Sequence, residues 1–230
     1  MFIIEVVRTL WRTLDRALLR TIALVCLAVG VVGVSYGATA VTSGFPVWFP
    51  VLVGVLVLAG SSEFLFVGIL AAGGSPVSAV AAGVLVNARH LPFGLAVADV
   101  LGRGWRRLLG SHLMNDESVV LALGEREPRR QRAAYWACGL GVLVFWPAGA
   151  LLGALAGTAI TDPDAFGLDA MFPAVLLALV LPSLRSRETR RAALVGTAVA
   201  LATSPILPAG LPVLLSLVGL LATVGNTEER

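Results

Sequence analysis

Charge is what this chain lacks. Charged residues make up 13% of its 230 residues, where ordinary soluble domains carry roughly 25%. From Thr21 to Ser62 there is no Asp, Glu, Lys or Arg, and from Phe64 to Ala88 there is none again. Water-soluble folds do not leave such lengths uncharged, so the chain reads as an integral membrane protein. Lysine is absent altogether. All 17 basic residues are arginine, a bias that a GC-rich genome produces as readily as any physical requirement. Cysteine is limited to Cys26 and Cys138, both inside apolar stretches and without a CxxC spacing or a nearby histidine. That argues against metal and redox chemistry and leaves both thiols as small packing residues. HExxH, GxSxG and Walker-type glycine loops are missing, as is any basic and aromatic platform for nucleic acid. The chain is therefore not read as an enzyme, and no cofactor, metal or nucleic-acid partner is expected.

What is present is apolar and helical in pattern, with 57% hydrophobic residues and a mean hydropathy of +0.90. Arg8, Arg12, Arg16 and Arg20 recur among Phe2, Ile3, Val6, Val7, Leu10, Trp11 and Leu14, which predicts a basic amphipathic helix over 1–20 lying on the membrane surface. A polytopic membrane domain is expected over 21–224 and a polar tail over 225–230. The Ala38-Thr39-Ala40 run resembles a signal-peptidase site. The apolar stretch before it is long enough to cross, so a retained first span is preferred. A crossing needs about 20 apolar residues. Leu18 to Val41 and Ala133 to Ile160 satisfy this directly. Phe45 to Ala72 is cut by Gly60-Ser61-Ser62-Glu63, and Gly73-Gly74-Ser75-Pro76 separates it from Val77 to Val97. Ala170 to Leu184 is short, and Ala192 to Val224 is interrupted by Ser204-Pro205 and by Pro208, Gly210 and Pro212.

Three arginine-rich segments set the expected orientation: the N-terminus, the connection over about 99–132, and the Arg185 to Arg191 turn. The positive-inside rule places all three, and hence the N-terminus, in the cytoplasm. Residues 45–98 must then cross an odd number of times. Three crossings would need roughly 60 residues of helix, so one crossing plus a re-entrant or broken helix is expected. Irregular backbone at membrane depth survives only inside protein or beside a wet cavity, which makes the Gly60–Glu63 break a candidate cavity wall. Ala71 to Pro76 and Leu201 to Pro205 look alike, and paired interruptions in two halves point toward transporter binding sites. The expected fold is all-α, with about 5–7 transmembrane or re-entrant helices broken near the bilayer midplane.

The polar residues inside these stretches are the candidate site. A charge at the bilayer centre costs at least about 2.5–3.5 kcal/mol on insertion scales, so it persists only with a partner or a purpose. Glu63, flanked by Ser61 and Ser62, reads either as a proton or ammonium acceptor or as half of a structural ion pair with Arg89. Arg89 keeps its proton and suits a carboxylate, from Glu63 or from a bound amino acid. His90 switches charge near neutrality or serves as a neutral interhelical hydrogen-bonder. Asn87 and His90 share a helix face from which Arg89 turns away, and Pro92 is expected to free backbone carbonyls beside them. Asp116 and Glu117 are secondary candidates; with Asn115 they also read as a solvated helix cap. Asp169 before Ala170, near Asp162 and Asp164, reads as an outer-face helix cap, with cation binding as its alternative. The small residues Gly149 to Gly157 permit close helix packing.

Several of these segments resemble the AzlC family of branched-chain amino acid permease subunits. They are Ala59-Gly60-Ser61-Ser62-Glu63-Phe64, Ala72-Gly73-Gly74-Ser75-Pro76, Asn87-Ala88-Arg89-His90-Leu91, Asn115-Asp116-Glu117 and Gly167 to Ala174. The chain departs from the family pattern where relatives carry Gln in place of Glu63, Tyr in place of Phe93 and Pro near Val32. The first departure favours polar substrate contact over an obligatory proton at Glu63. The resemblance implies a multi-pass exporter of branched-chain or similar apolar amino acids in a bacterial-type plasma membrane. It also implies drive by the proton motive force and a small hydrophobic AzlD-type partner subunit. Residue chemistry alone also leaves room for an ion or proton channel, a membrane enzyme using Glu63 and His90, or a purely structural subunit.

Overall fold

The computed structural model describes residues 13–159, 177, 181, 183–207 and 211–226. Among these residues every regular element is helical. The first helix, α1 (Arg16–Thr42), starts at Asp15, whose Oδ1 accepts the Leu18 amide at 2.8 Å. Arg130 closes on the same carboxylate at 2.8 Å. The Leu18 amide and then Arg130 hold the Asp15 carboxyl below its usual range. Arg16 and Arg20 belong to α1 itself, while residues 1–12 of the expected surface helix lie outside the described residues. At the far end, Gly44 takes φ +92°. The Phe45 and Gly44 amides return to the Ala40 and Val41 carbonyls, which is the Schellman arrangement that stops a helix.

Next come α2 (Trp48–Leu56), α3 (Gly60–Ala71), α4 (Pro76–Asn87) and α5 (His90–Ala96). None reaches the ~30 Å of a hydrocarbon core at about 1.5 Å per residue. The expected broken-helix character of this region is what the structure has, but the break is placed differently. It falls at residues 57–59, where buried Leu58 adopts φ +51°. Gly60-Ser61-Ser62-Glu63 form the first turn of α3, not a stretch of unwound backbone. A second Schellman motif ends α3, with Gly73 at φ +79° and the Gly74 amide on the Ile69 carbonyl. The Val77 to Val97 stretch also divides, at Ala88-Arg89. Pro92 explains this: in a continuous helix its ring would press on the Ala88 carbonyl. That carbonyl instead accepts the Leu91 amide at 3.0 Å.

After α6 (Trp105–His112) and α7 (Asp116–Leu123) comes α8 (Pro128–Thr158), then α9 (Arg187–Thr203) and α10 (Leu211–Leu215), which runs on as a 3-10 helix, Ser216–Asn226. Arg16–Thr42, Pro128–Thr158 and the stretch Pro76–Ala96, in which α4 and α5 are taken together, are each long and apolar enough to cross a membrane. Helix α9 stops at Thr203, just before Ser204-Pro205, much as α3 stops before the Gly73–Pro76 run. Most of the Ala170 to Leu184 segment, with Asp162, Asp164 and Asp169, lies outside the described residues.

The chain divides into two compact units, Met1–Gly60 with Asn87–Thr161, and Ser61–Val86 with Asp162–Arg230. In the first, α1 lies along α8 through small residues on both helices. A Cβ on Gly33 would stand 2.7 Å from the Trp146 carbonyl. Added Cβ atoms on Gly37, Gly149 and Gly153 would run into the Ala150, Gly30 and Val34 carbonyls. The small residues Gly149 to Gly157 thus serve packing within the chain. Cys26 and Cys138 lie on this seam, both buried, with the Cys26 thiol 3.9 Å from the Cys138 carbonyl. In the second unit, α3 and α4 form a hairpin around Ile69, Ala79 and Ala82, with Leu214 packed against it. Gly196 and Gly219 bring α9 and the C-terminal 3-10 helix together in the same backbone-to-backbone way.

Overpacking a tight contact of this kind costs about 1–3 kcal/mol. Gly153→Val is therefore expected to lower the melting temperature of the detergent-purified protein clearly. Gly124→Ala, whose new Cβ would meet nothing nearer than 3.5 Å, is expected to leave it unchanged.

Candidate functional site

Two polar clusters stand out, one in each unit. In the second unit, Ser61, Ser62 and Glu63 occupy the first turn of α3. Ser62 and Glu63 are buried, Glu63 to 1% exposure. The first turn has amide groups without intrahelical partners and the positive end of the helix dipole, so a carboxylate is better tolerated there than anywhere else along the helix.

The first unit holds the larger cluster. Arg89 sits in the two-residue turn between α4 and α5, and its Nη2 meets Asp116 Oδ2 at 2.9 Å. Asp116, which the sequence placed in the cytoplasmic connection, is thus a partner of Arg89. Asn87 and His90 do not share a helix face either, because Asn87 ends α4 and His90 begins α5. They are joined another way: His90 Nδ1 lies 2.9 Å from the Asn87 carbonyl. A carbonyl only accepts, so this bond requires the proton on Nδ1 and leaves Nε2 as an acceptor in the neutral ring. The ring edge also meets Phe93, with centroids 6.0 Å apart.

Asp116 is held in place by a cap. Asn115 Oδ1 accepts the Ser118 amide at 2.8 Å, and the Ser118 hydroxyl accepts the Asn115 amide at 3.1 Å. Asn115 and Ser118 are buried, so the cap is an internal one, and the expected solvated role does not describe it. It presents Asp116 and Glu117 on the first turn of α7. Glu117 is half-buried. Burial, with the neighbouring Asp116 charge, pushes its carboxyl above the usual range, against a smaller opposing pull from Arg89. The surrounding scaffold is fixed to α8. Tyr135 donates its hydroxyl to the Gly110 carbonyl at 2.7 Å, and the Trp136 indole donates to the Val100 carbonyl at 3.3 Å.

A third grouping was not anticipated from sequence. At the break before α3, Tyr36 and Trp146 stack with centroids 5.4 Å apart, and a Cβ on Gly60 would come within 2.8 Å of the Trp146 ring. The available signal was scarcity: the chain has two tyrosines, and both Tyr36 and Tyr135 are completely buried. Among the described residues, no three His, Cys, Asp or Glu side chains converge as a metal site would require.

An arginine paired with an acid at a break in a membrane-length apolar helix suits recognition of a carboxylate. The family model described as AzlC protein matches residues 24–160, which include this cluster and Glu63. The chain belongs to the AzlC family. Over 205 residues it is 26% identical to the branched-chain amino acid transport protein AzlC of Bacillus subtilis, spanning 86% of this chain and 80% of that protein. Over 173 residues it is 32% identical to an uncharacterized membrane protein of Archaeoglobus fulgidus, spanning 74% of this chain and 76% of that protein. An uncharacterized membrane protein of Haemophilus influenzae is 27% identical over 173 residues, 74% of this chain and 70% of its own length. No solved structure matches. As an AzlC-family member, the chain is an all-α membrane protein with a role in membrane transport.

Glu117 yields a pH-dependent expectation. A carboxyl whose folded-state pKa is raised adds stability that is fully present below the unfolded pKa and lost as pH rises through the folded value. Glu117→Gln, uncharged at every pH, should therefore gain melting temperature over wild type as pH rises. The difference should shrink in acid, and melts from about pH 4 to about pH 8 will show it.

Proposed function

We propose that this AzlC-family protein exports branched-chain or similarly apolar amino acids from the cytoplasm. In this reading it uses the proton motive force and works with a small AzlD-type membrane subunit. It resides in a bacterial-type plasma membrane with its N-terminus inside, as the arginine-rich segments suggest. The observation that carries the reading is the Arg89–Asp116 pair at the α4–α5 turn.

Both partners are partly exposed, at 35% and 43% of their side chains. An ion pair of that exposure contributes only about 0–1 kcal/mol, so an incoming carboxylate can compete with Asp116 for the guanidinium at little cost. Arg89 takes the substrate carboxylate, and His90 with Asn87 shapes the polar end. Apolar walls accept a Leu-, Ile- or Val-like side chain, and Ser61, Ser62 and Glu63 form a separate polar group at the α3 N-terminus. Similarity to the branched-chain amino acid transport protein of Bacillus subtilis supports the substrate class.

Cells lacking the gene and loaded with a leucine- or isoleucine-containing dipeptide should retain the free amino acid. Efflux at the wild-type rate would remove the export claim. Complementation with Arg89→Ala should fail. Loss of the Arg89–Asp116 pair by itself should cost under about 1 kcal/mol of folding stability, read from denaturation of the purified variant.

A further inference from the structure

An α-amino acid carries its ammonium and carboxylate groups on one carbon, so its receptor must hold a cation and an anion as neighbours. The first unit holds such a pair. Arg89 is bonded to Asp116, and the adjoining Glu117 lies within electrostatic reach of both. Glu117 is half-buried on the first turn of α7, held there by the buried Asn115–Ser118 cap. Among the described residues it forms no ion pair of its own.

The charged and titratable groups around it come from four elements. They are Asp116 on α7, Arg89 from the α4–α5 turn, Cys26 on α1 and Cys138 on α8. Tyr135 of α8, near Ser118, is committed to the Gly110 carbonyl. Of the two carboxylates in this cluster, Asp116 is occupied by the guanidinium, and Glu117 is the one placed to trade a proton.

We propose that Glu117 is the proton-exchange group of the transport cycle, carrying one proton when the site is empty and yielding it to water when a substrate ammonium group arrives. This rests on the transport reading above and specifies its coupling. One O–H bond breaks as one ion pair forms, and one positive charge leaves as another enters. A single carboxylate cannot hold both, so proton and amino acid alternate in the sense an exporter driven by inward proton flow requires. The raised proton affinity that burial gives Glu117 agrees with this role. Glu63 is then not the coupling group.

The test uses full-length protein in liposomes, co-reconstituted with its small subunit where transport needs one, and leucine as the probe. Glu117→Gln is expected to keep leucine–leucine exchange with a raised half-saturating concentration, because an amide oxygen still accepts from an ammonium group. Its flux driven by a pH gradient should fall on the order of tenfold or more, and its pH profile should flatten. Glu117→Asp should recover the gradient-driven component.

Undiminished gradient-driven flux in Glu117→Gln would overturn the assignment. Should the variant not reconstitute, wild type decides: leucine added to weakly buffered protein in detergent should acidify the solution, and no acidification overturns the assignment. Wild type that exchanges leucine but ignores the gradient overturns proton coupling and this inference together, leaving amino acid transport standing. Absence of any exchange overturns the transport reading itself.

Discussion

Two apolar helices in lipid gain nothing by hiding from water, because hydrocarbon tails solvate them as well as each other does. Close approach and dispersion must hold them instead. The α1–α8 contact is built for that, with Gly30, Gly33 and Gly37 set against Gly149, Ala150 and Gly153 so that backbone meets backbone. The rest of the first unit follows from it. Helix α8 carries Trp146 to Tyr36 and Gly60 at the start of α3. Lower on the same helix, Tyr135 and Trp136 hold the segments around Gly110 and Val100. Those segments lead directly into the Asn115–Ser118 cap that presents Asp116 to Arg89.

The polar groups are placed by a second constraint, the cost of bare charge and bare backbone away from water. Each candidate residue sits where a helix has an end to offer. Glu63 lies among the first amides of α3, Arg89 and His90 at the α4–α5 turn, and Asp116 and Glu117 on the first turn of α7. Short helices supply more such ends per residue than long ones. A region cut into four pieces between Trp48 and Ala96 therefore has room for polar chemistry that an unbroken span would exclude.

Much of this was legible in the sequence, and the exceptions have physical causes. The bounds of the long apolar runs gave α1 and α8 to within a few residues, because an uncharged stretch of that length has few other fates. Gly73 marked a helix end, and Asn115 a cap, through their local chemistry. The break at Leu58 was invisible, since leucine is among the last residues expected at positive φ, and only surrounding packing holds it there. The Arg89–Asp116 pair was also hidden. Its members belong to segments with no shared periodicity, and the acid stood in a connection that otherwise reads as basic and solvated. Substrate class came from the resemblance alone, because the apolar walls of such a site look like any other membrane helix.

The second unit is discontinuous: the α3–α4 hairpin is made early, yet Leu214, which packs against its Ile69–Ala79–Ala82 core, is made only after α8 and α9. During synthesis that hairpin enters the bilayer with Ser62 and Glu63 already in place and no C-terminal segment to seat against. Its residence there is a waiting period, governed by translation rate and by whatever the insertion machinery shields. Assembly of this unit therefore cannot begin until α8 and α9 have been made, and until then the early hairpin stays open to quality control.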